Sequence, residues 1–162
     1  MTRRIAISDS TPLISLARIG ELDLVRSVFS RILVPEAVFD EVVEARDDAP
    51  GAREVAEASW IGKATADPLL VRPLVLLVGQ GEAEAIAMAQ SEAGSLLLTD
   101  DRKARRVAKQ LGIETQGTLG VLARAKRSGL ISAVRPFTQR LQAANYRISE
   151  QTLEAVLRGL GE

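Results

Sequence analysis

Asp9, Glu82, Asp100 and Asp101 are the residues of this sequence best placed to do chemistry. Asp9 follows a short apolar run, Ile5-Ala6-Ile7, and Asp100 closes another, Leu96-Leu97-Leu98-Thr99. Glu82 and Asp101 each stand at the start of a stretch with helical spacing. Ionised carboxylates gathered at one place repel each other, and more so as water is excluded. A divalent cation relieves that repulsion, and Mg²⁺ and Mn²⁺ favour oxygen ligands. One or two such ions can activate a water and stabilise the leaving oxygen when a phosphodiester is hydrolysed.

The composition leaves few other routes. The 162 residues contain no cysteine and no histidine. Thiol nucleophiles, Cys/His zinc sites, disulfides and Ser-His-Asp triads are therefore excluded. Catalysis must use carboxylates, Lys/Arg, hydroxyls or a bound ion. The five aromatics (Phe29, Phe39, Trp60, Phe137 and Tyr146) are too few for a base-stacking platform, and Trp60 reads as packing. Apolar residues are 46% of the chain, enough for one core built from Leu, Val, Ile and Ala. No apolar run approaches the ~20 residues that span a bilayer. The start, Met1-Thr2-Arg3-Arg4, leads into too short an apolar run for a signal peptide, so the expected location is cytoplasmic.

The elements that must position the acids are short apolar strands alternating with helices. Strands are expected over 4–8, 31–34, 95–99 and 113–115. Helices are expected from Thr11-Pro12 to Gly20, over 21–27, from Pro35 to about 45, and over 51–58, 82–93, 102–111 and 117–128. Two more follow near 135–145 and 149–158, the last capped by Ser149. Residues 60–77 fit no element cleanly, because Asp67-Pro68 and Arg72-Pro73 interrupt them. The alternation predicts an α/β domain whose parallel sheet is covered on both faces. The main domain is placed at 1–130, with a helical extension at 131–162 packed on it. In such a sheet the strand C-termini and the following helix N-termini share one rim, where ligands bind. Asp9, Glu82, Asp100 and Asp101 all fall on that rim.

Each acid also has a structural explanation, since acids are favoured at helix N-termini by capping and by the helix dipole. Glu82 and Glu84 lie about 200° apart around their helix, so one ion does not easily take both. Glu82 is preferred because it is nearer the rim. Asp101 is the better-placed helix-start ligand, and Asp100 either ligates or caps. Ser10 and Thr11 beside Asp9 either cap a helix or hold a metal water or a substrate phosphate.

Charge is zero overall but uneven. Residues 1–100 hold nine Lys+Arg against sixteen Asp+Glu, and residues 101–162 hold twelve against five. Arg102, Lys103, Arg105, Arg106 and Lys109 put five cations on one helix that starts at the rim. Arg102, Lys103 and Arg106 are the candidate contacts to a phosphate backbone. Arg124, Lys126 and Arg127 form a smaller group read as surface.

Four segments together resemble the PIN-domain family. Ile7-Ser8-Asp9-Ser10-Thr11-Pro12-Leu13 resembles its opening strand and Asp-Ser/Thr turn. Pro35-Glu36-Ala37-Val38-Phe39-Asp40-Glu41-Val42 resembles its second motif, a Glu on the helix after the second strand. Gly81-Glu82-Ala83-Glu84-Ala85-Ile86-Ala87-Met88-Ala89 is similar to the third, and Leu97-Leu98-Thr99-Asp100-Asp101-Arg102-Lys103 to the fourth. The order and spacing cover roughly residues 4–125. Gly117-Thr118-Leu119-Gly120-Val121-Leu122 and the helical tail look typical of a PIN-like prokaryotic branch with little assigned function.

The resemblance implies a PIN-like (Rossmann-like) three-layer sandwich and a ribonuclease dependent on Mg²⁺ or Mn²⁺. It implies metal-site roles for Asp9, Glu41, Glu82 and Asp101. Many relatives, the VapC-like toxin ribonucleases, belong to toxin–antitoxin pairs, are restrained by a small antitoxin and form homodimers. Toxin relatives often carry Asp in the third motif, where this chain has Glu82 and Glu84.

The expected function is thus hydrolysis of RNA phosphodiester bonds, with RNA and a cognate antitoxin as partners. The alternative is a catalytically silent PIN-like module that binds RNA or protein. An aspartyl-phosphate enzyme fits less well, since a phosphatase of the haloacid-dehalogenase type wants a second Asp where Thr11 stands.

Overall fold

A computed structural model describes residues 3–162 of the chain. Met1 and Thr2, which open the segment considered above as an export signal, lie outside the described residues. The core is a five-stranded, all-parallel sheet in the order β3-β2-β1-β4-β5. Its strands are β1 (Ile5–Ser8), β2 (Arg31–Pro35), β3 (Ile61–Ala64), β4 (Leu96–Leu98) and β5 (Thr115–Gln116).

Apart from Ser8 at the end of β1 and the exposed Arg31 at the start of β2, the central strands are apolar because both of their faces are buried. Ala6, Ile32, Val34, Leu96 and Leu98 point into one core. Ile7, Leu33 and Leu97, which are register partners across β1, β2 and β4, point into the other. This period of two is what an α/β three-layer sandwich requires.

One face is covered by α1 (Ser10–Arg18), α2 (Asp23–Val28), α3 (Glu36–Glu44), α4 (Ala52–Glu57) and α8 (Thr118–Arg127). Leu13 and Leu16 of α1 and Leu122 of α8 are fully buried there. Each such leucine contributes roughly 1.5–3 kcal/mol by leaving water. The other face is covered by α5 (Pro68–Leu74), α6 (Gln80–Ser91) and α7 (Arg102–Gln110), through Val71, Ile86 and Val107. No helix among the described residues is long and apolar enough to cross a membrane.

The tail, α9 (Arg135–Ala143) and α10 (Glu150–Gly159), adds Val134, Leu141 and Leu157 to the first core. Arg140 bonds the Ile19 carbonyl and, at 2.8 Å, Glu21, so α9 is anchored on the turn between α1 and α2. Lys126, read from the sequence as a surface cation, is instead half-buried: its Nζ donates to Glu162 Oε1 at 2.8 Å and to the Leu160 carbonyl at 2.9 Å.

Several boundaries differ from the sequence reading. The 60–77 stretch, which fits no element cleanly in the sequence, holds the edge strand β3 and the short helix α5. Its Asp67-Pro68 break is a helix start: Asp67 Oδ1 accepts Leu69 N–H at 2.9 Å, and proline is tolerated in the first turn. Pro35 ends β2 and flanks α3 rather than opening it. The last strand lies at Thr115–Gln116 rather than 113–115, where Thr115 and Gln116 pair with Leu97 and Leu98. α9 stops at Ala143, two residues early, and Asn145 turns the chain with φ 65.

Candidate active site

The strand order places a topological switch between β1 and β4. The chain leaves β1 toward β2 and β3, then returns to lay β4 on the other side of β1. In open α/β sheets the crevice at the strand C-termini of such a switch is where ligands bind. Asp9 and the Thr99–Asp101 segment meet there, and Asp9 N–H extends the ladder to the Leu98 carbonyl at 3.1 Å.

Asp9 is only 6% exposed and caps α1. Its Oδ1 accepts Thr11 N–H at 3.2 Å, and its Oδ2 accepts the Thr99 hydroxyl at 2.6 Å. Thr99 Oγ1 in turn accepts Asp101 N–H at 3.2 Å, and Asp101 Oδ1 caps α7 by accepting Ala104 N–H at 2.7 Å. A continuous hydrogen-bonded line therefore joins Asp9, Thr99 and Asp101. Burial pushes the Asp9 carboxyl up to about 7 from 3.8. The bonds from Thr99 and Thr11 oppose the rise, and the nearby carboxylates of Asp100 and Glu82 add to it.

Glu82 lies in the first turn of α6 with its carboxylate folded over Gly79, where an added Cβ would meet Glu82 Oε2 at 2.5 Å. Glu82, Asp101 and Lys103 line one open concavity of about 320 Å³. Glu84 lines a different one with Glu36 and Asp40, and its Oε1 accepts Gln80 Nε2–H at 2.8 Å. Helical geometry thus separates the two glutamates, as the spacing requires.

Asp100 faces away from Asp101. Its Oδ1 accepts Thr118 N–H at 2.8 Å and the Tyr146 hydroxyl at 2.7 Å, and its Oδ2 accepts the Thr118 hydroxyl at 2.6 Å. These bonds hold it to α8 and the tail, which is the capping alternative in a stronger form. Burial, then the Asp100 charge, raises the Tyr146 phenol above its ordinary value. Glu41 is exposed in the second turn of α3, and its side chain makes no hydrogen bond or ion pair among the described residues. Ser10 is half-buried and Thr11 exposed at the start of α1, beside Asp9. Arg102, Lys103 and Arg106 are all exposed on α7, but only Lys103 shares the concavity of Glu82 and Asp101.

The donor chemistry suits a hard divalent cation: all-oxygen ligands around a buried acid that two other carboxylates push toward its protonated form. The cluster is not closed, however. No group of three or more acidic side chains among the described residues converges tightly enough to hold an ion. Such a set would hold Mg²⁺ or Mn²⁺ only with water and substrate oxygens completing the shell.

Thr99 and Tyr146 are the site residues the sequence reading missed. For Thr99 the one signal is its place between a buried strand and an acid pair. Tyr146 carried none, since only folding brings the tail to Asp100.

Residues 5–162 match the model of a family described as DUF3368: PIN domain. The chain belongs to the PIN-domain family. The PIN fold is a nuclease-type fold. No curated protein matches this PIN domain. Among solved structures it is similar to a PilT N-terminus domain protein, SSO1118, from the hyperthermophilic archaeon Sulfolobus solfataricus P2. The two are 16% identical, with 74% of this chain and 91% of that one covered and a TM-score of 0.47.

Proposed function

We propose that this PIN domain is a divalent-metal-dependent endoribonuclease. The observation that carries the proposal is the Asp9–Thr99–Asp101 line at the β1/β4 switch, with Glu82 on the same rim. Asp9, Glu82 and Asp101 would hold Mg²⁺ or Mn²⁺, which supplies Lewis acidity toward a phosphodiester and its attacking water.

The chain's own residues supply the rest. Thr99 fixes the Asp9 carboxylate and is itself fixed by the Asp101 amide, so the two acids keep one relative geometry. Burial of Asp9 keeps bulk water from screening it, which strengthens every charge interaction there. Lys103 stands beside Glu82 and Asp101 and offers a cation to the non-bridging oxygens of a phosphate. Arg102 and Arg106 on the same helix extend that charge along a strand.

The motif resemblance to VapC-like toxins supports a setting in a toxin–antitoxin pair, with a small antitoxin as restraint, a homodimer as the assembly and the cytoplasm as the location. The central test is cleavage of a mixed RNA pool by antitoxin-free protein with Mn²⁺, Mg²⁺ or EDTA, beside Asp9→Asn. Metal-dependent cleavage that disappears in a folded Asp9→Asn variant is expected. Equal behaviour of the two proteins on a broad pool would leave a silent RNA- or protein-binding module.

A further inference from the structure

Behind the Asp100 side of the β4–α7 turn lies a further cavity, of about 280 Å³. Its wall includes Arg102 and Arg105 from α7, Gly117 at the head of α8, and Tyr146, Arg147 and Ser149 from the segment joining α9 to α10. Two distant parts of the chain therefore bring three arginines to one hollow.

None of the three makes a hydrogen bond or an ion pair among the described residues. Elsewhere Arg4, Arg26, Arg53, Lys126 and Arg140 are each neutralised by an acid. The one acidic residue lining the hollow is Asp100, whose oxygens already accept three hydrogen bonds from Thr118 and Tyr146. The concentration of positive charge is local, because the whole chain is neutral. The floor of the hollow is mixed, with Leu119, Ile148 and Val156 beside Ser149 and Thr152, and three unpaired guanidinium groups at its wall are suited to bind a phosphate through forked hydrogen bonds.

The placement matters as much as the charge. Asp100 and Asp101 are consecutive, so this hollow and the Glu82–Asp101 concavity lie on either side of one short turn. A strand crossing that turn reaches both.

We propose that the hollow formed by Arg102, Arg105 and Arg147 binds a phosphate of the nucleic-acid strand presented to the carboxylate rim, which makes the C-terminal tail part of the substrate site. This rests on the nuclease reading for the identity of the strand. The phosphate chemistry itself follows from the arginines.

The test is binding of a labelled oligouridylate to the full chain across a range of salt, in an Asp9→Asn background that prevents turnover. Adding Arg147→Gln is expected to weaken binding about fivefold and to reduce the salt slope by about 0.7, the loss of one single-strand phosphate contact. Arg147 is exposed and unpaired, so the melting temperature should not move. Arg31→Gln removes the same charge from the opposite end of the strands, at the start of β2, and should leave binding unchanged. Equal binding with and without Arg147, or an equal loss in Arg31→Gln, overturns the proposal. Displacement of the RNA by polyglutamate as readily as by an unlabelled oligonucleotide also overturns it, in favour of an acidic protein partner.

Competition by inorganic phosphate and uridine monophosphate identifies the source. Arg147-dependent displacement by either means a terminal phosphate. Displacement by longer strands alone means an internal phosphodiester. Binding is read without turnover, so Arg147-dependent binding there, together with no cleavage by the wild-type chain in any metal, would remove the nuclease reading and keep the hollow. Metal-dependent cleavage with binding indifferent to Arg147 would do the reverse.

Discussion

The Thr99 hydroxyl lies 2.6 Å from Asp9 Oδ2 and also receives the Asp101 amide at 3.2 Å, so one side chain sets the relation between two acids 92 positions apart in sequence. Thr99 is 1% exposed, and water cannot replace it. Thr99→Val keeps the shape and removes the hydroxyl. The expected cost is about 1–3 kcal/mol, the penalty for stranding a buried polar group. The loss should be larger at pH 8 than at pH 5.5, because the stranded group is then a carboxylate. Urea denaturation at both values checks this, and Thr99→Ser should recover most of the loss. Equal losses at the two pH values would show that Thr99 acts by packing alone.

Asp9 gives the chain a definite pH dependence when no metal is present. Its folded carboxyl is raised to about 7 from 3.8. Between those values the folded state keeps a proton that the unfolded state has released. Stability therefore falls as pH rises through that window and levels off above it. The full span is on the order of 4 kcal/mol, an upper bound for so buried an acid. Asp9→Asn, which cannot ionise, should pull ahead of wild type from pH 4 to 7 in EDTA. Mn²⁺ should restore stability at pH 8 in wild type alone. Parallel curves for the two proteins would place the Asp9 carboxyl in the ordinary range.

Glu82 and Glu84 supply a paired test of the rim. Glu82→Gln should weaken Mn²⁺-dependent thermal stabilisation by about 10- to 100-fold in metal concentration, a scale seen even for groups that only support metal ligands. Glu84→Gln should leave it unchanged, because Glu84 faces another concavity and bonds Gln80. The same effect from both substitutions would mean that the two side chains reach one ion after all.

Much of this was legible in the sequence, for identifiable reasons. Ile5-Ala6-Ile7 and Leu96-Leu97-Leu98 announce buried strands, because a central parallel strand has no polar face to show. Asp9, Glu82 and Asp101 fell on one rim because parallel topology puts every strand end on the same side. Proline hid α5, since Asp67-Pro68 reads as a break when it is a cap. The orientation of Asp100 was out of reach, because its partners Thr118 and Tyr146 are 18 and 46 residues away. Glu41 came from family resemblance alone, since it stands exposed in the second turn of α3, a turn beyond the strand end that the rim argument uses.

The C-terminal Glu162 clasps the tail. Its Oε1 accepts Lys126 Nζ–H at 2.8 Å and Val134 N–H at 2.7 Å, while Oε2 accepts Arg135 N–H at 3.0 Å. These donors pull its carboxyl down to about 2 from 4.5, against the opposing effect of burial. A depressed carboxyl stabilises the fold above its unfolded value and loses that contribution as pH falls through the window from 4.5 to about 2. Glu162→Ala should cost about 1–3 kcal/mol at pH 7. The gap from wild type should narrow as pH is lowered toward about 3. A gap that stays constant over that range would mean the charge contributes nothing and only packing is lost.

Two glycines touch site acids in the same way and should nevertheless respond differently. An added Cβ would lie 2.5 Å from Glu82 Oε2 at Gly79 and 2.5 Å from Asp100 Oδ1 at Gly117. Glu82 is held by no side-chain hydrogen bond among the described residues, so its carboxylate can swing aside. Asp100 cannot move without breaking bonds to Thr118 and Tyr146. Gly117→Ala should therefore destabilise the fold by about 1–3 kcal/mol, through strain or lost hydrogen bonds. Gly79→Ala should leave the melting temperature nearly unchanged and weaken the metal response, because the carboxylate is displaced from the concavity. Measuring thermal stability with and without Mn²⁺ separates the two effects. A Gly79→Ala protein with an intact metal response would show that Glu82 binds from another pose, and a fully stable Gly117→Ala would show that the Asp100 cluster gives way easily.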